Sequence, residues 1–350
     1  MIVVEGKCGI KATVLAHSVS PQGIEMITFE IEYPRLILAE LNTHRDKSRN
    51  SFSSRAVPFE KMIQQLTGRP VRFGANQAGM QDKGEDFKAA VKYKKSLLNG
   101  VPEDMSMDVF SAWEWAKQNA ICHAKALYEA GYHKQVYNRL LEPFQMMKTV
   151  ISGTEWANFW WLRDDEAADP TIAELARCMR EAQRKSKPFL LHAGEWHLPY
   201  IDMNIAIMPD GSREQIFTID EHFILKGENK LLPHLTLEQA IKISCARCAA
   251  VSYRNEGYGL EKSLEVYDRL VGSEKKHASA FEHCATPMAT RQGMPMSICG
   301  RVNLPFSPGT WEEGISHVDR KGNLWSGNLK GWIQYRKLIK GENYEGEEIA

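Results

Sequence analysis

The segment Thr43-His44-Arg45-Asp46-Lys47-Ser48-Arg49-Asn50-Ser51-Phe52-Ser53-Ser54-Arg55 concentrates groups that bind anions. An imidazole, three guanidinium groups, an ammonium, five hydroxyls and an amide lie in thirteen residues, with Phe52 the one apolar side chain. A guanidinium fork matches phosphate oxygens in pairs, and hydroxyls and backbone N–H groups add neutral donors. Such a set suits a phosphate-bearing ligand. A solvated polar loop has the same composition, so the segment alone leaves both readings open. Ser53 as a nucleophile needs a base oriented by a third group. No His–Asp partnership stands near it, so it reads as a ligand-holding hydroxyl. Cys245-Ala246-Arg247-Cys248 is a single CxxC. A structural zinc site needs about four ligands, and no second pair follows, so the apolar flanks favour a packed helix and no metal.

Elements must position that segment. Met26 to Tyr33 alternates, with Ile27, Phe29 and Ile31 on one side and Thr28, Glu30 and Glu32 on the other, which predicts a half-buried strand. Pro34 ends it and opens a helix through Leu36-Ile37-Leu38-Ala39-Glu40-Leu41, directly before the polar segment. Helices are predicted over 105–130, stopping at Gly131, and over 133–141, 154–163, 170–183, 235–251, 261–271 and 328–339. Strands are predicted over 144–152 and 215–219, and the glycine-rich stretches 67–85 and 292–327 read as loops. Repeats and a clean linker are absent. The simplest reading is an α+β fold in one integrated domain over 1–350. It carries a helical and loop insertion at 67–130 and loop-rich insertions at 187–234 and 285–326.

Bulk properties narrow the class. The 350 residues hold 43% apolar side chains, enough for a sizeable core. Lys+Arg and Asp+Glu both number 44, so the global basic excess of a DNA-coating protein is absent and no direct nucleic-acid binding is expected. No apolar run reaches about 18 residues, so no membrane span is expected. The first residues lack the basic flank and apolar stretch of a signal peptide, and seven scattered cysteines fit reduced thiols. A cytoplasmic location is the expectation.

Five blocks resemble the flavin-dependent thymidylate synthases. That family's signature is Arg-His-Arg, seven residues, then Ser, with an Asn inside and an Arg two residues later. Here Thr43-His44-Arg45 is followed after seven residues by Ser53, with Asn50 and Arg55 in register. Arg139-Leu140-Leu141-Glu142-Pro143 is similar to its Arg-x-x-Leu-Pro. Trp156-Ala157-Asn158-Phe159-Trp160-Trp161-Leu162-Arg163 is similar to its Leu-x-Asn-Phe-x-x-Leu-Arg. Ala249-Ala250-Val251-Ser252-Tyr253 and His277-Ala278-Ser279-Ala280-Phe281-Glu282-His283 resemble its Ser-Tyr and Phe-Glu-His blocks. Those two usually precede the signature and here follow it, which resembles a circular permutation and the order of long, phage-borne members.

The resemblance implies an antiparallel sheet with helices, in that family's fold. It implies reductive methylation of dUMP to dTMP, with FAD as cofactor and methylenetetrahydrofolate and NADPH as co-substrates. It implies a homotetramer with sites shared between subunits, in the host cytoplasm if the chain is phage-encoded. Arg163 is the implied catalytic residue, stabilising charge on the pyrimidine. Ser53, Arg55, Arg139 and Arg163 are the implied nucleotide ligands. His44, Arg45, Asn50, Asn158, Ser252 and His283 are the implied flavin contacts. Gly194 to Tyr200 and Trp332 to Lys337 also resemble the phage-borne members, and they read as buried aromatic packing.

The chain also departs from the pattern. Thr43 replaces the first signature Arg, Ser51 a Glu, Ala56 a Tyr and Ala250 an Arg. Asp164-Asp165-Glu166 follows Arg163 where the family has a His, and a Gln is missing beyond it. Acidic groups there disfavour a phosphate or an anionic reduced flavin. These departures motivate two alternatives: modification of another pyrimidine nucleotide, for example hydroxymethylation for viral DNA, and a degenerate nucleotide-binding protein. A zinc or redox protein built on Cys245 and Cys248 ranks last.

Overall fold

The computed structural model describes residues 1–55, 57–76, 84–93, 105–219, 234–253, 258–273, 276–289 and 311–343. Ala56 and the part of the expected loop at 292–310 lie outside the described residues. The chain opens with β1 (Ile2–Glu5), β2 (Lys11–Val19) and β3 (Glu25–Pro34), then α1 (Leu38–Asn42), β4 (Ser48–Ser51) and α2 (Phe59–Ile63). Next come β5 (Val91–Tyr93), β6 (Met105–Met107), α3 (Val109–Glu129), α4 (Lys134–Tyr137), β7 (Met146–Gly153), α5 (Ala157–Arg163) and α6 (Pro170–Lys185). The remainder holds β8 (Phe189–Leu190), β9 (Ile201–Ile207), β10 (Arg213–Ile219), α7 (Leu237–Ala250) and α8 (Leu260–Gly272). It ends with β11 (Ala285–Pro287), β12 (His317–Val318), β13 (Leu324–Ser326), β14 (Leu329–Lys330) and β15 (Trp332–Gln334).

The fold is α+β with antiparallel sheets. The main sheet runs β1-β2-β3-β7-β4, and β8 pairs in parallel with the end of β2. Its centre is β3, whose Thr28 lies opposite Ser152 of β7. Ile27, Phe29, Ile31 and Tyr33 are fully buried on one face and belong to the largest apolar cluster, with Ile172, Leu175 and Met179 of α6. Each such side chain contributes about 1.5–3 kcal/mol through removal from water. Asp169 caps α6 by accepting from the N–H groups of Thr171 and Ile172, and Pro170 sits in its first turn.

The expected half-burial of β3 is corrected. Thr28 and Glu30 on its other face are also buried. They tolerate burial because they are paired: Thr28 with Ser152 and His197, Glu30 with Lys148 at 2.9 Å and the Tyr200 hydroxyl at 2.6 Å. That face is covered in part by α7, started by a capping box of Thr236 and Gln239. Cys245 and Cys248 are both fully buried on α7 and face different apolar clusters. Among the described residues no group of three or more His, Cys, Asp or Glu side chains could hold a metal ion.

Other expectations need adjustment. The helix expected from 105 begins at Val109, after a strand, with Asp108 as its cap. The helix expected over 133–141 is one turn of α4 followed by a 3-10 segment, Asn138–Phe144, that contains Pro143. No helix forms over 328–339. Trp332–Gln334 pairs instead with Ala285–Pro287, burying Trp332 and Ile333, and a short 3-10 turn follows.

Candidate functional site

The polar segment runs from the end of α1 along β4, which among the described strands pairs with β7 at one end of the sheet order. Alternation sends Ser48 and Asn50 inward, while Arg49 and Ser51 are half-buried. Arg49 reaches back and donates from Nη1 to the carbonyls of Leu41 and His44, at 3.1 and 2.7 Å, satisfying acceptors at the end of α1. Lys47 is buried over Trp156, with Nζ 4.9 Å from the ring centroid, and bonds Asp46 at 2.7 Å and the carbonyl of Glu155. Burial pushes its ammonium below the usual lysine range, with Asp46 opposing. Gly153 makes room for this arrangement, since a Cβ there would lie 2.5 Å from Lys47 Cδ.

These contacts bring α1 and α5 together around Arg163. Arg163 donates from Nε to His44 Nε2 at 3.0 Å and from Nη2 to Thr43 Oγ1 at 3.3 Å. Its Nη1 lies 3.7 Å from Glu40 Oε2. A guanidinium only donates, so His44 Nε2 must accept, and His44 is the neutral imidazole with its proton on Nδ1. Burial, then the positive charges of Arg163 and Lys47, lower the His44 pKa in the same direction. Burial and then Asp169 raise the Glu40 carboxyl, with Arg163 opposing. Thr43 thus offers Arg163 a neutral acceptor. Of the acidic run, Asp164 is paired with Arg180 at 2.6 Å and Asp165 caps the N–H of Ala167 at 2.8 Å, so both have internal partners.

The other expected site residues fall into two further groups. Arg55 and Arg139 are exposed. The segments that carry them are tied together, because Asn138 donates to the carbonyls of Ser54 and Val57 and Ser54 Oγ donates to Glu142. Arg139 Nε donates to the carbonyl of Gln135 at 3.1 Å. Ser53 is joined to Ser252 by a backbone hydrogen bond of 3.1 Å, which brings the Ser-Tyr block against the signature. Asn50 and His283 are on the inner side. Asn50 donates to the carbonyl of Cys248 at 3.2 Å, and His283 is fully buried with Nδ1 2.8 Å from Ser152 Oγ.

Part of this set has polar groups turned outward. Among the described residues, Arg45, Arg55 and Asn158 are exposed, and their side chains make no hydrogen bond or ion pair. They are free to face acceptors that a ligand brings. Asn50 and His283 do not fit a direct contact in this conformation: the first is committed to α7 and the second is enclosed. Sequence reasoning missed Glu40, which resembles one more polar position on a short apolar helix. It also missed the buried chain to which His283 belongs. From Ser18 Oγ the chain passes to His197 Nδ1, from His197 Nε2 to Thr28, then to Ser152 and His283, with links of 2.6 to 2.9 Å. His283 Nε2 at its end has no partner among the described residues.

Two clefts lie elsewhere. One of about 420 Å³ is bordered by His17, Ser18, Phe189 and Met203, and one of about 270 Å³ by Lys7, Asp165, Glu166 and Arg177. No helix among the described residues is long and apolar enough to cross a membrane. No protein-family model matches the chain, and no curated protein matches its sequence.

Proposed function

We propose that the chain is a flavin-dependent enzyme of the thymidylate synthase type, transferring a one-carbon unit to C5 of a pyrimidine nucleotide. The observation that carries this reading is the bond between Arg163 Nε and His44 Nε2. It joins the signature segment to the Asn-Phe-Trp-Trp-Leu-Arg block across 119 residues. Ser53 meeting Ser252 adds a third block to the same neighbourhood. The fold proposed is that of the family, with its motif order circularly permuted.

In this reading Arg163 is the catalytic residue. Its Nε and Nη2 are held by His44 and Thr43, so its outer edge is fixed in direction and its charge acts on the pyrimidine without reorganising. Arg55 and Arg139, on segments fastened by Asn138, hold the phosphate, with Ser53 beside them. Neutral His44, Arg45 and Asn158 face the flavin, while Asn50, Ser252 and His283 support them from behind. FAD, when bound, supplies the hydride, with NADPH as reductant and methylenetetrahydrofolate as one-carbon donor. Exposed Trp161, Leu162 and Tyr253 near these blocks suit a homo-oligomer with shared sites.

The test is incubation of purified protein with FAD, NADPH, methylenetetrahydrofolate and dUMP or dCMP, followed by nucleotide mass. The expected result is a yellow protein and a nucleotide heavier by a methyl or hydroxymethyl group. A colourless protein that also leaves added FAD unbound would overturn the reading.

A further inference from the structure

The Glu40 carboxylate beside Arg163 carries information about the base, given the nucleotide reading above. Arg163 has five N–H groups. One on Nε goes to His44, one on Nη2 to Thr43 and one on Nη1 faces Glu40. Each terminal nitrogen therefore keeps one further hydrogen. Both side chains are partly open, with 21% of Arg163 and 32% of Glu40 exposed. The pair offers a ligand an acceptor followed by two donors.

We propose that the base read here is cytosine, with Glu40 accepting from the exocyclic amine and Arg163 donating to N3 and O2. The pairing edge of cytosine presents donor, acceptor, acceptor, which is the complement of Glu40 and Arg163 in order. The edge of uracil presents acceptor, donor, acceptor. A carboxylate that takes its N3–H sets its second oxygen against a carbonyl, acceptor facing acceptor. The guanidinium then reaches one carbonyl instead of a fork of two atoms. Glu40 thus discriminates by repulsion as well as attraction. The amide of a Gln at this position would serve either base, because it both donates and accepts.

The test is calorimetric titration of the purified full-length protein with dCMP and with dUMP. The wild type is expected to bind dCMP about ten- to a hundredfold more tightly. Glu40→Gln is expected to bring the two affinities within about threefold, with an unchanged circular dichroism spectrum. A purely structural Glu40 would weaken both nucleotides equally and leave their ratio alone. Equal or tighter binding of dUMP by the wild type overturns the inference, and so does a ratio that Glu40→Gln leaves unchanged. Binding of neither nucleotide overturns the nucleotide reading itself and this inference with it.

Discussion

Lowering the pH from 7 to 5 will remove a large part of the protein's stability through two histidines. His197 and His283 are fully enclosed, and burial pushes both from 6.5 down to about 3; for His197 the neighbouring His17 and His283 act in the same direction. In the unfolded chain each titrates near its ordinary value. A lowered folded-state pKa means that the unfolded chain binds the extra proton. Stability is therefore full above pH 6.5 and falls as the pH drops toward 3. Between pH 7 and 5 the unfolded imidazoles become almost fully protonated and the folded ones stay neutral, costing about 2 kcal/mol each and about 4 kcal/mol for the pair. His17 and His44 shift the same way and add to the fall. A total stability of about 5–15 kcal/mol makes this easy to measure. Urea unfolding at pH 7, 6 and 5 reads it out, in a range above that where most carboxylates titrate. His283→Asn, whose amide can replace the bond to Ser152, should reduce the fall between pH 7 and 5 by about 2 kcal/mol. A wild type equally stable at pH 7 and 5, or a variant with an undiminished fall, would refute the reasoning.

Three other outcomes are expected. Arg163→Ala should lower turnover about 10²- to 10³-fold with little change in thermal stability, and normal turnover in steady-state assays would remove Arg163 from its role. Arg55→Ala and Arg139→Ala should each weaken nucleotide binding about tenfold, more at low than at high salt, measured by titration at two ionic strengths. Gly153→Ala forces a Cβ to within 2.5 Å of Lys47 Cδ and should cost about 1–3 kcal/mol, seen as a lower melting temperature.

The fold was legible where periodicity and caps agree. The alternation of 26–33 marks β3, and Pro170, suited to a first helical turn, marks the start of α6. The same alternation misjudged the polar face of β3, because the partners of Thr28 and Glu30 include Ser152, Lys148, His197 and Tyr200, more than a hundred residues away. Trp332-Ile333-Gln334 belongs to a strand for a reason no local pattern contains: Ala285–Pro287 is there to pair with it. Within the site, the resemblance led to His44 and Arg163, which the fold brings into contact. Asn50 and His283 looked equivalent to them on paper, yet their side chains turn inward. Whether a polar side chain faces a ligand or a helix end depends on strand facing and tertiary cover, neither of which a motif records.

The partners of the inward Ser48 side chain of β4 have a bearing on how the chain is made. Ser48 exchanges hydrogen bonds with Asn328 at 3.0 and 3.1 Å and receives another from Gln334 at 3.4 Å, residues 280 and 286 positions further on. During synthesis Ser48 emerges 280 residues ahead of Asn328, which bonds it. A ribosome paused before residue 328 holds a nascent chain whose Ser48 still lacks these partners. Such contacts are slow to form by virtue of their separation alone. Burial of the Ser48 hydroxyl with its partners therefore waits for residues 328–334, and a product truncated before them leaves this inward polar group unmatched.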